Sequence, residues 1–117
     1  MSFSINHRKS GTVTVVDLGG RIILGEPEKQ LLEHINELIR QGDRSFLLNL
    51  GNVNFLDSAG LGTIVKCYKA ATENNGHLKL LNVPPKVLRL LQITNLQTFF
   101  EIFDDETTAL NSYAIPQ

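Results

Sequence analysis

The chain has 117 residues, a formal net charge of −1, 42% hydrophobic and 20% charged residues, and a single cysteine. These values are typical of one globular domain over residues 1–117. They argue against direct nucleic-acid binding, which needs a basic patch. The sequence also lacks the roughly 18 consecutive apolar residues that membrane insertion needs. A lone cysteine excludes an internal disulfide and suits a reducing compartment, so we expect a cytoplasmic protein.

The first part of the chain predicts a β-hairpin followed by an amphipathic helix. Phe3, Ile5 and His7 alternate with polar residues, which indicates an edge strand, and a β-branched run at 12–18 indicates a second strand. Residues 19–25 are expected to form a loop or a short strand. Pro27 then marks a helix start and Gly42 its end. Between them the apolar residues recur at helical spacing: Leu31, Leu32, Ile35, Leu38 and Ile39.

Strands and helices alternate in the second part of the chain. Residues 46–50 are almost continuously apolar, which is typical of a central strand covered on both faces. The elements expected after it are a helix over 58–74, a strand over 78–83, a short helix from the prolines at 84–85, a last strand over 99–103 and a terminal helix capped by acidic residues at 104–106. This order predicts an α/β domain with a mixed four- or five-stranded sheet and about four helices packed mainly on one side.

The junction between the central strand and its helix carries the most informative residues. Asp57 and Ser58 are both favoured N-cap types, and they stand where the apolar spacing changes from strand-like to helix-like. The serine hydroxyl is therefore expected in the first helical turn, where unpaired N–H groups and the helix dipole tolerate added negative charge. Gly60 and Gly62 lack side chains and leave the backbone there approachable. Spacing alone favours a simple N-cap, with a functional serine as the alternative.

Two further features lie on the same predicted helix. Thr63 and Lys66 fall opposite its apolar stripe, so they belong either to a solvated face or to a partner surface continuous with Ser58. Cys67 falls between the two faces, and we expect a small, partly buried hydrophobic residue, not a reactive thiol.

The sequence patterns argue against an enzyme. The Gly-x-Ser-x-Gly elbow is absent because Leu56 takes the place of the first glycine, and the three scattered histidines offer no base that can be placed beside Ser58. The glycine pair at 19–20 matches neither phosphate-loop pattern and predicts a turn. One cysteine and isolated histidines lack the spacing of metal ligands. We therefore expect no enzymatic activity, no metal and no cofactor.

The signature of STAS domains and, more narrowly, of bacterial anti-sigma factor antagonists resembles residues 48–50 (LNL), Val53, Phe55 and residues 57–62 (DSAGLG) of this chain. The resemblance extends over nearly the whole chain, through residues 15–22, 78–83 and 90–96. It implies a STAS-like mixed sheet and makes Ser58 a phosphorylation site, which reverses the preference for a simple cap. The partner-binding surface is then expected to comprise Arg21, Asp57, Ser58, Ala59, Gly60, Gly62, Thr63 and Lys66.

The resemblance also implies a partner-switching mechanism. In such proteins the unmodified form binds an anti-sigma factor that is itself an ATP-dependent serine kinase, and this frees a sigma factor. Phosphorylation of the serine that matches Ser58 releases the kinase, and a PP2C-type phosphatase reverses the modification. The competing hypotheses are a non-switching STAS subunit of a transport complex or signalling scaffold, in which Ser58 is only a cap, and a small enzyme.

Two positions depart from the pattern of the family. Many phosphorylatable relatives have a second hydroxyl residue after the serine, where this chain has Ala59, so Ser58 is the only acceptor expected in the motif. Residues 21–26 are also more apolar than the stretch usual at this point. They either pack or contact a partner of a different type.

Overall fold

The computed structural model describes residues 2–114, which form a five-stranded sheet, four α-helices and one short 3-10 helix. In chain order these elements are β1 (Phe3–Ser10), β2 (Val13–Ile22), α1 (Glu26–Arg40), β3 (Ser45–Leu56), α2 (Ser58–Glu73), β4 (His77–Leu81), α3 (Pro85–Ile93), the 3-10 helix (Leu96–Thr98), β5 (Ile102–Phe103) and α4 (Glu106–Ala114). The prediction of an α/β fold with a mixed sheet is confirmed.

The strands lie in the order β1-β2-β3-β4-β5. β1 and β2 form the expected antiparallel hairpin, and every later neighbouring pair is parallel. Ile22 pairs with Leu56, so β2 and β3 end together at one edge of the sheet. The carboxyl ends of parallel strands commonly form ligand and partner sites, because the following loops and helix N-termini meet there.

Two hydrophobic clusters of unequal size hold the helices on the sheet. The larger one packs α1, α2 and α3 against one face and includes Leu31, Leu48 and Ile64. The smaller one lies on the other face, where Ala109 of α4 covers Leu47 and its neighbours. Three of the four helices of the described chain therefore share one side, as the sequence predicts, and the last helix protects the sheet's second face.

Some predicted boundaries are wrong, and the sheet explains why. The glycine pair at 19–20 lies inside β2 and not in a turn, and irregularities in its pairing with β3 accommodate it. Gly20 has a φ of +83°, and a Cβ there would lie 1.8 Å from the Ser2 carbonyl oxygen. β3 continues to Leu56, because pairing with β2 extends it beyond the apolar run. The last strand covers only Ile102–Phe103 of the predicted 99–103.

Candidate functional site

Ser58 is the first residue of α2, directly beyond the paired ends of β2 and β3. Its side chain is exposed, and its hydroxyl makes no hydrogen bond to the described part of the chain. The expected position in the first turn of a helix is therefore confirmed, and the residue is open to solvent. Such a hydroxyl is accessible to a modifying enzyme, and the unpaired N–H groups of the helix end favour an added anion.

Asp57, and not Ser58, is the N-cap of α2. One carboxylate oxygen accepts a hydrogen bond from the Gly60 N–H at 2.8 Å, and the other accepts one from the Leu24 N–H at 3.1 Å. These bonds, with Gly60 the larger contributor, hold the pKa of Asp57 below its ordinary value, since each is made to the ionised form. Asp57 thus fixes the start of α2 and the loop after β2 in one arrangement.

The two glycines that follow Ser58 have different surroundings. A Cβ on Gly60 would lie 2.1 Å from the carbonyl oxygen of Ile22, so this glycine permits the close approach of α2 to the end of β2. Nothing lies within 4 Å of a Cβ on Gly62. The expectation that both leave an open backbone is therefore wrong for Gly60, which is buried, and holds for Gly62.

Thr63 is not on the exposed face of α2 that both interpretations of the sequence, a solvated face or a partner surface, require. Its side chain is only 2% exposed, and its hydroxyl donates a hydrogen bond to Glu28 Oε1 at 3.2 Å. The reason is that α2 packs against α1 as well as the sheet, so a wider arc of the helix is covered. Lys66 is exposed, as expected. Cys67 is fully buried, and burial raises the pKa of its thiol to about 12.

Exposed apolar side chains lie at the same edge of the sheet as Ser58. Phe55 is 46% exposed and pairs with Arg21 across the β2–β3 ladder. The Arg21 guanidinium lies 5.3 Å from the centre of the Phe55 ring, within cation–π range. Leu24, in the loop held by Asp57, is 71% exposed. Neither Phe55 nor Leu24 is among the predicted site residues. For Leu24, the apolar character of residues 21–26 was the sequence signal that could have identified it.

No histidine is placed to activate Ser58. His7 and His34 contact each other, with Nδ1 and Nε2 2.9 Å apart, and His77 begins β4 at the opposite edge of the sheet. Among the described residues, no three histidine, cysteine or carboxylate side chains come together as a metal ion would require. Within the same residues, no helix has the length and apolar character to cross a membrane.

Comparison with known proteins identifies the family. The sequence model of the STAS domain matches residues 4–109. The chain is 28% identical over 115 residues to the anti-sigma F factor antagonist of Paenibacillus polymyxa, covering 98% of each chain. It is 34% identical over 88 residues to the anti-sigma-B factor antagonist of Staphylococcus aureus, covering 74% of this chain and 80% of the relative.

Solved structures agree with these sequence matches. The chain has a TM-score of 0.80 to the unphosphorylated form of the anti-sigma factor antagonist SpoIIAA, at 21% identity, covering 97% of this chain and all of that one. The score to the phosphorylated form of SpoIIAA from Bacillus is 0.74, at the same identity, covering 96% of this chain and 99% of that one. The chain belongs to the STAS domain family, and the relatives it resembles are anti-sigma factor antagonists.

Proposed function

We propose that this protein is an anti-sigma factor antagonist that is switched by phosphorylation at Ser58. The unmodified form binds an anti-sigma factor with a serine-kinase, ATPase-type fold, the phosphorylated form is released, and a PP2C-type phosphatase restores the first state. The observation that carries the proposal is the exposed Ser58 hydroxyl at the first residue of α2. The names of the relatives support the antagonist role, and SpoIIAA has been solved in both phosphorylation states.

The local charge explains how a phosphate can switch binding without refolding the domain. Phosphorylation adds about −1.5 to −2 charges at one point. The helix N-terminus stabilises such a charge by roughly 0.3–1 kcal/mol at an exposed site, and the ionised Asp57 beside it opposes this gain. The free energy of folding therefore changes little. Inside a protein interface the same charge must be desolvated, and a cost of about 2.7 kcal/mol already weakens binding a hundredfold.

The predicted partner surface divides into contacting and supporting residues. Ser58, Gly62, Lys66 and Arg21 are exposed or open at the surface, and Ala59 is half-buried, so these remain candidates for direct contact with the kinase. Asp57, Gly60 and Thr63 instead hold α2 in place through the contacts described above. Exposed Phe55 and Leu24 extend the contacting set with apolar area, as the core of a stable interface requires.

The proposal is tested by measuring the intact mass of the protein isolated from its native host during growth and stress. Three versions are compared: wild type, Ser58→Ala, and Ser4→Ala, which removes an exposed hydroxyl from β1. We expect one phosphoryl group on wild type and on Ser4→Ala and none on Ser58→Ala. Absence of phosphate from every version under all conditions would contradict the switch and favour a non-switching STAS subunit.

A further inference from the structure

A cleft opens between the end of β3 and the start of α3. Its volume is about 420 Å³, within the range of roughly 300–1,000 Å³ typical of small-molecule sites. The lining is mostly apolar and contains no carboxylate; it includes Phe55, Pro84, Pro85, Lys86 and Val87. Phe55 is 46% exposed, so a ligand that covers its ring would remove apolar surface from water and bind more favourably.

One cationic residue belongs to this lining, and a second lies next to it. Lys86 belongs to the lining, and Arg21 lies over the ring of Phe55. Neither forms an ion pair with any described residue. The lining therefore contains one cation without an ion pair, Lys86, and Arg21 lies beside the lining residue Phe55.

The backbone at the start of α3 adds hydrogen-bond donors to this positive charge. The helix is capped by Pro84 without a side-chain hydrogen bond, and its first turn contains no acidic residue. The N–H groups of Lys86 and Val87 find no acceptor in the described part of the chain, and both residues line the cleft. Backbone N–H groups at a helix N-terminus are suited to binding carboxylates, and here they come with a lysine ammonium.

We propose that this cleft binds a small amphiphilic carboxylate, with its apolar chain against Phe55 and the prolines and its carboxylate at Lys86. The apolar lining would contact the alkyl chain of the ligand, and the unpaired Lys86 ammonium and N–H groups would bind its carboxylate. The lack of carboxylates in the lining argues against an amine or a metal ion. The site uses no atom of Ser58, so it exists whether or not the protein is a phosphorylation-dependent antagonist.

The test is a titration of the unmodified protein with octanoate, followed by backbone amide NMR shifts. Octan-1-ol and octylamine serve as probes of the same chain length without negative charge. We expect saturable shifts at the amides of Lys86 and Val87, with a dissociation constant at or below about 1 mM, and much weaker effects from the two control probes. Octanoate without saturable shifts, or octylamine binding equally well, would overturn the proposal.

Variants identify the residues responsible. Lys86→Gln removes the charge and keeps a polar side chain one atom shorter, and we expect it to weaken octanoate binding about fivefold. Lys69→Gln changes an exposed lysine on α2, outside the cleft, and should bind octanoate like wild type. Ser58→Ala should also bind normally, which separates this site from the proposed switch. Unchanged affinity in Lys86→Gln would overturn the assignment of the carboxylate position.

Discussion

The carboxylate of Asp57 accepts a hydrogen bond from the backbone N–H of Leu24, 33 residues earlier in the chain. The other carboxylate oxygen of Asp57 accepts a hydrogen bond from the Gly60 N–H, inside α2. One side chain therefore joins the loop after β2 to the first turn of the helix that carries Ser58. The exposed Leu24 and the exposed serine are thus held in a defined relationship, which would reduce the entropy lost if a partner bound across both.

Replacing Asp57 should lower stability through both of these bonds. We expect Asp57→Ala to reduce the free energy of unfolding by about 1–2 kcal/mol, since loss of an N-cap alone costs about 0.5–2 kcal/mol. Asp57→Asn retains an oxygen acceptor and should cost less. Urea unfolding followed by circular dichroism measures both variants. Equal stability of Asp57→Ala and wild type would show that the two bonds contribute nothing.

The two glycines after Ser58 offer a matched pair of substitutions. Gly60→Ala should destabilise the protein by about 1–3 kcal/mol, because its Cβ meets the backbone carbonyl of Ile22. Gly62→Ala should stabilise it by about 0.5–1 kcal/mol, because the space around it is open and alanine is the better helix former. Thermal and urea unfolding measure whether each substitution raises or lowers the free energy of unfolding. The expected order would be contradicted if Gly60→Ala were as stable as Gly62→Ala.

A negative charge at Ser58 should weaken partner binding and spare the fold. We expect Ser58→Asp to reduce affinity for the purified kinase-type anti-sigma factor of the native host at least about tenfold. Ser58→Asn, which has a similar size and no charge, should bind much closer to wild type. Calorimetric titration measures affinity, and thermal unfolding confirms that the variants fold. Binding of Ser58→Asp as tightly as wild type would count against the switch.

Arg8 should make stability depend on pH in the acid range. Its guanidinium bonds Asp17 at 2.8 Å and Glu106 at 2.8 Å, and so lowers the pKa of both carboxyl groups below their ordinary values of 3.8 and 4.5. The folded state thus binds these protons less readily than the unfolded state. The stabilisation is present above the ordinary pKa values and is lost as pH falls through the lowered ones.

Arg8→Met tests this pH dependence. All three side chains are partly exposed, so we expect each pair to contribute about 1 kcal/mol or less at neutral pH. Between about pH 5 and pH 3 the variant should lose less stability than wild type. Lys29→Met, which removes an exposed cation that forms no ion pair with a described residue, is the control. Parallel pH profiles for Arg8→Met and wild type would refute the role of Arg8.

Much of the fold could be predicted because its signals are local. The β-branched run before Gly19 and the apolar run at 46–50 identified β2 and β3, and helical spacing identified α1 and α2. The ends of the strands were less predictable. β3 continues to Leu56 and β2 to Ile22 because the two pair with each other, and such pairing leaves only a weak pattern in either sequence segment.

For the candidate site, the sequence by itself determined that a serine stands in the first turn of a helix after a buried strand. Capping preference and the change of apolar spacing act within a few residues, so they can be read locally. Only the tertiary structure decided that the Ile22 carbonyl occupies the space of a Cβ at Gly60, whereas that space is open at Gly62. It also decided that Thr63 is buried against α1. These facts depend on how closely α2 approaches elements about 35 residues away, and that distance is set by packing of the whole domain.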